Sequence, residues 1–175
     1  MSLLSNLFGG KTAPKYPSDE LVINGEKLKL TFFAHASLAI EYLGRHIYVD
    51  PVMENADYTK LPKADVILVT HSHYDHFDLE AIDALQHDET HLLLDKTSAE
   101  SFVGNCYTML PGATAEPLVD VKVEAIAAYN TSEHQLQFHP KEREDCGYVV
   151  TLDGAVRIYI SGDTEPTLEQ RALRD

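Results

Sequence analysis

The chain has 175 residues, 44% of them hydrophobic and 24% charged. That is a globular composition at the length of one domain, and it excludes global disorder. Fourteen Lys and Arg against 28 Asp and Glu give a formal charge of −14; such a surface repels phosphate backbones, so no nucleic-acid partner is expected.

No apolar run approaches the roughly 20 residues of a membrane-spanning helix, so no membrane span is expected. Residues 1–17 show neither a basic segment nor a sustained apolar one, and are read as a flexible leader ahead of a single domain over 18–175. Glu20 to Ile23 reads as a strand, followed by the hairpin turn Asn24-Gly25 and a second strand from Lys27 to Phe33. Ser37 to Leu43 and His46 to Asp50 form the next pair, turned at Gly44-Arg45, and Pro51 opens a loop that runs to Pro62. Asp65 to Thr70 holds four consecutive apolar residues, the pattern of a strand buried on both faces. Asp78 is placed to cap a helix with Leu79, Ile82 and Leu85 on one face, and Ser98 to Val103 reads as a short helix closed by Gly104. Further strands are expected at His91–Leu94, Tyr107–Leu110, Val119–Ala127, Gly147–Leu152 and Ala155–Ile160, the last two joined by Asp153-Gly154. Many strands with a few helices imply layered α+β structure. Cys106 and Cys146 form no CxxC pair, which suits reduced thiols and a cytoplasmic location.

Chemistry concentrates in Thr70-His71-Ser72-His73-Tyr74-Asp75-His76. Four potential metal ligands fall within six positions, directly after the buried strand. His71 and His73 are two apart, so in extended chain their side chains leave on the same side and can share one ion. Asp75 and His76 follow where the chain leaves the strand, and can turn toward a second position. A core strand holds such a loop as rigidly as metal geometry demands.

His71-x-His73-x-Asp75-His76 after an apolar strand resembles the signature of the metallo-β-lactamase superfamily. More narrowly, the chain resembles the UlaG-like metal-dependent hydrolases related to N-acyl-phosphatidylethanolamine phospholipase D. Phe33-Ala34-His35-Ala36-Ser37, Tyr48-Val49-Asp50-Pro51, Phe138-His139-Pro140-Lys141 and Ser161-Gly162-Asp163-Thr164 match further family elements in order, over Leu28 to Thr164. The resemblance implies a four-layer αβ/βα sandwich with two divalent ions, zinc first with manganese or iron as alternatives, at one edge of its two sheets. It implies that His71 and His73 bind the first ion, that Asp75 and His76 bind the second, and that Asp163 bridges both. Gly162 beside it allows a close backbone approach. His139 is expected as the third ligand of the first ion, with His134 as the alternative; Lys141 is a candidate cation for an anionic substrate. His35 matches a pocket-lining residue, which implies that it orients a ligand or touches substrate; a histidine satisfied by backbone is the other reading. Asp75 and His35 are thus the candidate catalytic residues.

The function implied is hydrolysis of an ester, lactone, amide or phosphodiester in a small-molecule substrate by metal-bound hydroxide. Family members continue beyond the Gly-Asp-Thr element with a strand, a helix and a final histidine, whereas no histidine here follows His139. The C-terminal strand and helix are therefore expected to be missing and the second site to lack its last ligand. The open sheet edge would favour a homo-oligomer. A non-catalytic metal-binding module of the same fold is the alternative function, and a di-iron redox domain a third.

Overall fold

Asn24 and Gly25 both take positive φ and turn β1 (Ser18–Ile23) back onto β2 (Glu26–Ala34). The computed structural model describes residues 16–174, so the leader expected over 1–17 lies outside it except for its last two residues. Of these, Tyr16 packs edge-on against Phe33, with ring centroids 4.8 Å apart. β3 (Ser37–Tyr42) and β4 (Arg45–Val49) form the second hairpin. β5 (Val66–Val69), β6 (His91–Asp95) and β7 (Tyr107–Met109) then run parallel to β4 and complete a seven-stranded sheet in chain order. A second, antiparallel sheet has the order β11-β10-β9-β8, from β8 (Thr114–Leu118), β9 (Val121–Ala127), β10 (Cys146–Leu152) and β11 (Val156–Ile160).

Period-two patterning places the core. Val66 and Leu68 of β5 face the second sheet, packed in one cluster with Leu28, Ile40, Tyr148 and Val150. Ile67 and Val69 face the other way, against Ile82 and Leu85 of α1 (Leu79–Leu85). Full burial of each such side chain contributes roughly 1.5–3 kcal/mol, so β5 is anchored from both sides. Asp78 caps α1 as the sequence suggests, its carboxylate accepting from Glu80 and Ala81 N–H. The result is a helix layer, two facing sheets, and α3 (Leu168–Arg171) in contact with β9 in the second sheet, an α+β sandwich. Among the described residues α3 is the only α-helix of the expected fourth layer.

Three elements differ from the sequence-based expectation. β8 is unforeseen, because Pro117 and the mixed polarity of Thr114–Leu118 argue against a strand. It tolerates Pro117 as the edge strand, at an irregularity between Ala115 and Leu118. Val119 and Asp120 are then its hairpin turn rather than the start of β9. The second helix, α2 (Lys96–Ser101), begins earlier than expected, because Asp95 at the end of β6 caps it by accepting from Thr97 and Ser98 N–H. α3 is set by a capping box between Thr167 and Gln170.

The parallel strands end at one rim, where ligands bind in open α/β sheets. Asp50 follows β4, Thr70 and His71 follow β5, and the His35-Ala36 turn between β2 and β3 lies at the same end. The second sheet meets this rim where Cys146 N–H donates to Thr70 O at 3.1 Å.

Candidate metal centre

The structure gathers the histidines of the β5 loop with two residues from the second sheet's side. His71, His73 and His139 form one group, with ring centroids 4.6–4.8 Å apart. His71, His76 and Asp163 form a second, and His35, Asp75 and His76 a third. Within each group the potential ligand atoms lie within 4.8 Å of one another. Asp163 faces two rings at once: Oδ1 is 3.4 Å from His76 Nε2, and Oδ2 is 3.7 Å from His139 Nε2. His134 is exposed and joins none of these groups among the described residues.

Buried carboxylates fix which nitrogen each ring leaves free. Asp50 is fully buried and accepts from Thr70 N–H at 2.7 Å, Thr70 Oγ1–H at 2.7 Å and His76 Nδ1 at 2.8 Å. Thr70 spends its one hydroxyl proton on Asp50, so its oxygen receives His71 Nδ1–H at 3.0 Å. Asp145, also buried, accepts His139 Nδ1–H at 3.0 Å. His71, His76 and His139 therefore carry their proton on Nδ1 and present a lone pair at Nε2 when neutral, the tautomer that an Nε2 ligand requires.

This arrangement fits a divalent cation. Among the described residues His71 Nε2 is buried with no hydrogen-bond partner, and leaving such an atom unpaired costs about 1–3 kcal/mol. Burial, then the neighbouring rings of His76, His139 and His73, push the His71 pKa down to about 2. The ring thus stays neutral, as a ligand must. Burial and then Arg143 lower His73 as well. At His76 burial opposes the charge, but Asp50, Asp163 and Asp75 outweigh it and raise the pKa.

Several organising residues escaped the sequence reading. Arg143 Nε donates to both Asp145 oxygens at 3.1 Å, and its Nη1 lies 3.1 Å from His73 Nε2. A guanidinium only donates, so an ion and Arg143 are alternative partners for the His73 ring. Glu165 accepts Thr131 and Ser132 N–H at 2.6 and 2.5 Å; the Ser132 hydroxyl, and then these bonds, pull its pKa down to about 2. They tie the loop carrying His139 to the segment carrying Asp163. Asn130 closes the same loop, its N–H donating to His139 O at 2.8 Å. Asp50 had a visible signal, the Tyr48-Val49-Asp50-Pro51 element, but no role attached to it. Lys141, considered as a substrate cation, is engaged elsewhere: its Nζ lies 3.1 Å from Glu169 Oε1 and 4.5 Å from the Tyr129 ring centre. Gly162 behaves as expected, with φ +60° and room for no Cβ beyond 3.1 Å from Cys146 O and Thr70 Cβ. Cys146 is a core residue between the sheets and, among the described residues, belongs to no ligand group.

Two sheets bring together, at one rim, histidines and carboxylates that could hold a metal ion. The chain belongs to the β-lactamase superfamily: the model of that domain family matches residues 29–174. A UPF0173 metal-dependent hydrolase from Koribacter versatilis is 31% identical over 161 residues, covering 85% of this chain and 67% of that protein. One from Methanosphaera stadtmanae is 30% identical over 149 residues, covering 78% of this chain and 62% of its own length. The chain thus spans about two thirds of these relatives. The crystal structure of a metal-dependent hydrolase from Parabacteroides distasonis superposes with a TM-score of 0.85 at 39% identity, over 90% of this chain and 71% of that one. Among the described residues no helix is long and apolar enough to cross a membrane.

Proposed function

We propose that the chain is a metal-dependent hydrolase acting on an ester, lactone, amide or phosphodiester in a small-molecule substrate. The carrying observation is Asp163, whose two oxygens face His76 and His139 in adjacent ligand groups. On this reading His71, His73 and His139 would hold one ion, Asp75 and His76 would hold a second, and Asp163 would contribute to both. Imidazole and carboxylate ligands suit zinc foremost, and manganese or iron also. Bound divalent ions would supply Lewis acidity and lower the pKa of water from 15.7 toward about 7, so that it is nucleophilic at neutral pH.

The remaining work falls to the chain itself. Asp50 and Asp145 keep Nδ1 of their histidines protonated and the rings oriented. Asp75, half-buried with Oδ2 3.3 Å from His35 Nε2, is positioned to take and pass on a proton at the mouth of the site. An open cleft of about 730 Å³, lined by Asp75, Asp163, Phe138 and Tyr74, adjoins these groups. Phe138 and Tyr74 are exposed and offer apolar surface to a substrate. Two free cysteines suit a reducing compartment such as the cytoplasm. β11 ends the second sheet's strand order, and pairing of that edge with a second copy would give a homo-oligomer, which sedimentation would detect.

The test is hydrolysis of p-nitrophenyl esters and bis(p-nitrophenyl) phosphate by zinc-loaded protein, before and after chelation. Turnover of at least one substrate should be lost with chelator, restored with zinc, and absent in His73→Ala and Asp75→Asn. Activity indifferent to chelation, or retained in both variants, would refute the assignment. Stoichiometric zinc binding with no turnover of any ester, lactone, amide or phosphodiester would favour the non-catalytic module instead.

A further inference from the structure

His35 was read from the sequence as a residue that orients a ligand or touches substrate. Its position suits a different task. The side chain stands on the two-residue turn between β2 and β3, grouped with Asp75 and His76 rather than with His71, His73 and His139. Its Nε2 lies 3.1 Å from His76 Nε2 and 3.3 Å from Asp75 Oδ2, while His76 Nε2 lies 3.4 Å from Asp163 Oδ1. Metal–nitrogen and metal–oxygen bonds of about 2.0–2.2 Å place neighbouring ligand atoms roughly 2.9–3.6 Å apart on a tetrahedral or octahedral ion. All three separations fall within that span. His76 Nδ1 is committed to Asp50, so the nitrogen it turns toward His35 is the one free to ligate.

We propose that His35 is a protein ligand of the second ion, together with Asp75, His76 and Asp163. This rests on the two-ion reading above and adds a ligand to it from the first hairpins of the chain. The turn pays for this placement with strain: His35 has φ +49°, a region in which a residue other than Gly, Asn or Asp costs roughly 1–2 kcal/mol. That strain also guides the choice of variants, because Gly and Asn both tolerate positive φ.

The experiment is calorimetric titration of the metal-stripped full chain with zinc chloride alone, repeated with cobalt chloride and read by visible absorption. The wild-type chain, His35→Gly and His35→Asn are compared, with circular dichroism to establish that each is folded. Two binding events are expected in the wild type. In both variants the second should weaken by roughly 10-fold or more, the first should stay within about twofold, and the cobalt bands of the second event should change. Two wild-type events that both variants reproduce unchanged would overturn the ligand role alone, leaving His35 as a pocket residue that holds no ion. A wild-type chain that binds no zinc would overturn the two-ion reading and this inference together. A single wild-type event that neither variant alters would overturn this inference and leave only the first site standing.

Discussion

Asp50 Oδ2 lies 2.8 Å from His76 Nδ1, and both side chains are fully buried. The same carboxylate holds Thr70, and through it His71, so one group behind the loop orients a ring in each ligand set. Asp50→Ala would leave His76 Nδ1 and Thr70 N–H without their acceptor in the interior. The expected loss is about 3–5 kcal/mol of stability, read by urea denaturation of the metal-free chain. Asp50→Asn should keep the fold better and still weaken zinc binding about 10–100-fold.

The counterpart at the first ion is Asp145, which accepts His139 Nδ1–H and is itself held by Arg143. Asp145→Ala should weaken the first zinc-binding event about 10–100-fold while leaving the His35, Asp75 and His76 group intact. Calorimetry resolves the two events; equal weakening of both would show that Asp145 acts on the fold as a whole.

Proton competition should differ between the ions. His71 stays neutral down to about pH 2 and His73 is also lowered, so neither ring holds a proton that an ion must displace near neutrality. The His76 pKa is raised: its proton persists to higher pH and must leave before Nε2 can ligate. Affinity for the second ion should therefore climb as pH rises through that raised pKa, with proton release on binding, and fall as pH drops. Titrations between about pH 5.5 and 8, in buffers of different ionisation enthalpy, would assign proton release to one event. A steeper pH slope at the first event would contradict this.

Gly162 sets how closely Asp163 approaches β5. A Cβ there would sit 3.1 Å from Cys146 O and Thr70 Cβ on a backbone with φ +60°. Gly162→Ala should cost about 1–3 kcal/mol, seen as a lower thermal midpoint, and should weaken both zinc events because Asp163 moves. Ser161→Ala, at an exposed neighbouring position, should leave both nearly unchanged.

What the sequence reveals and what it hides divide along the range of the interactions. Four apolar residues at Val66–Val69 mark a strand buried on both faces, and the ligand-rich loop after it follows from local spacing. The hairpin turns at Asn24-Gly25 and Asp153-Gly154 are local chemistry as well. The placement of His139 required the resemblance, because it lies 63 positions after His76 and no local pattern brings them together. Asp50, Asp145, Arg143 and Glu165 were missed because their roles lie in tertiary contacts that no local pattern announces: Asp50 with Thr70 and His76, Arg143 with His73, Glu165 with Thr131 and Ser132. Asp145, for instance, reads as a loop carboxylate until β10 buries it against His139. β8 is visible only through its pairing with β9, since its own residues are a poor strand. The shift of the second helix came from a cap, Asp95, supplied by the preceding strand.

The most direct test of the central claim is metal content per chain, by elemental mass spectrometry on folded protein of verified intact mass, after zinc loading and exhaustive dialysis at neutral pH. Close to two zinc ions per chain is the expected result, falling to one or fewer in Asp163→Ala. Less than one ion per wild-type chain would contradict it, because the buried, unpartnered Nε2 of His71 would then have to be explained without a cation.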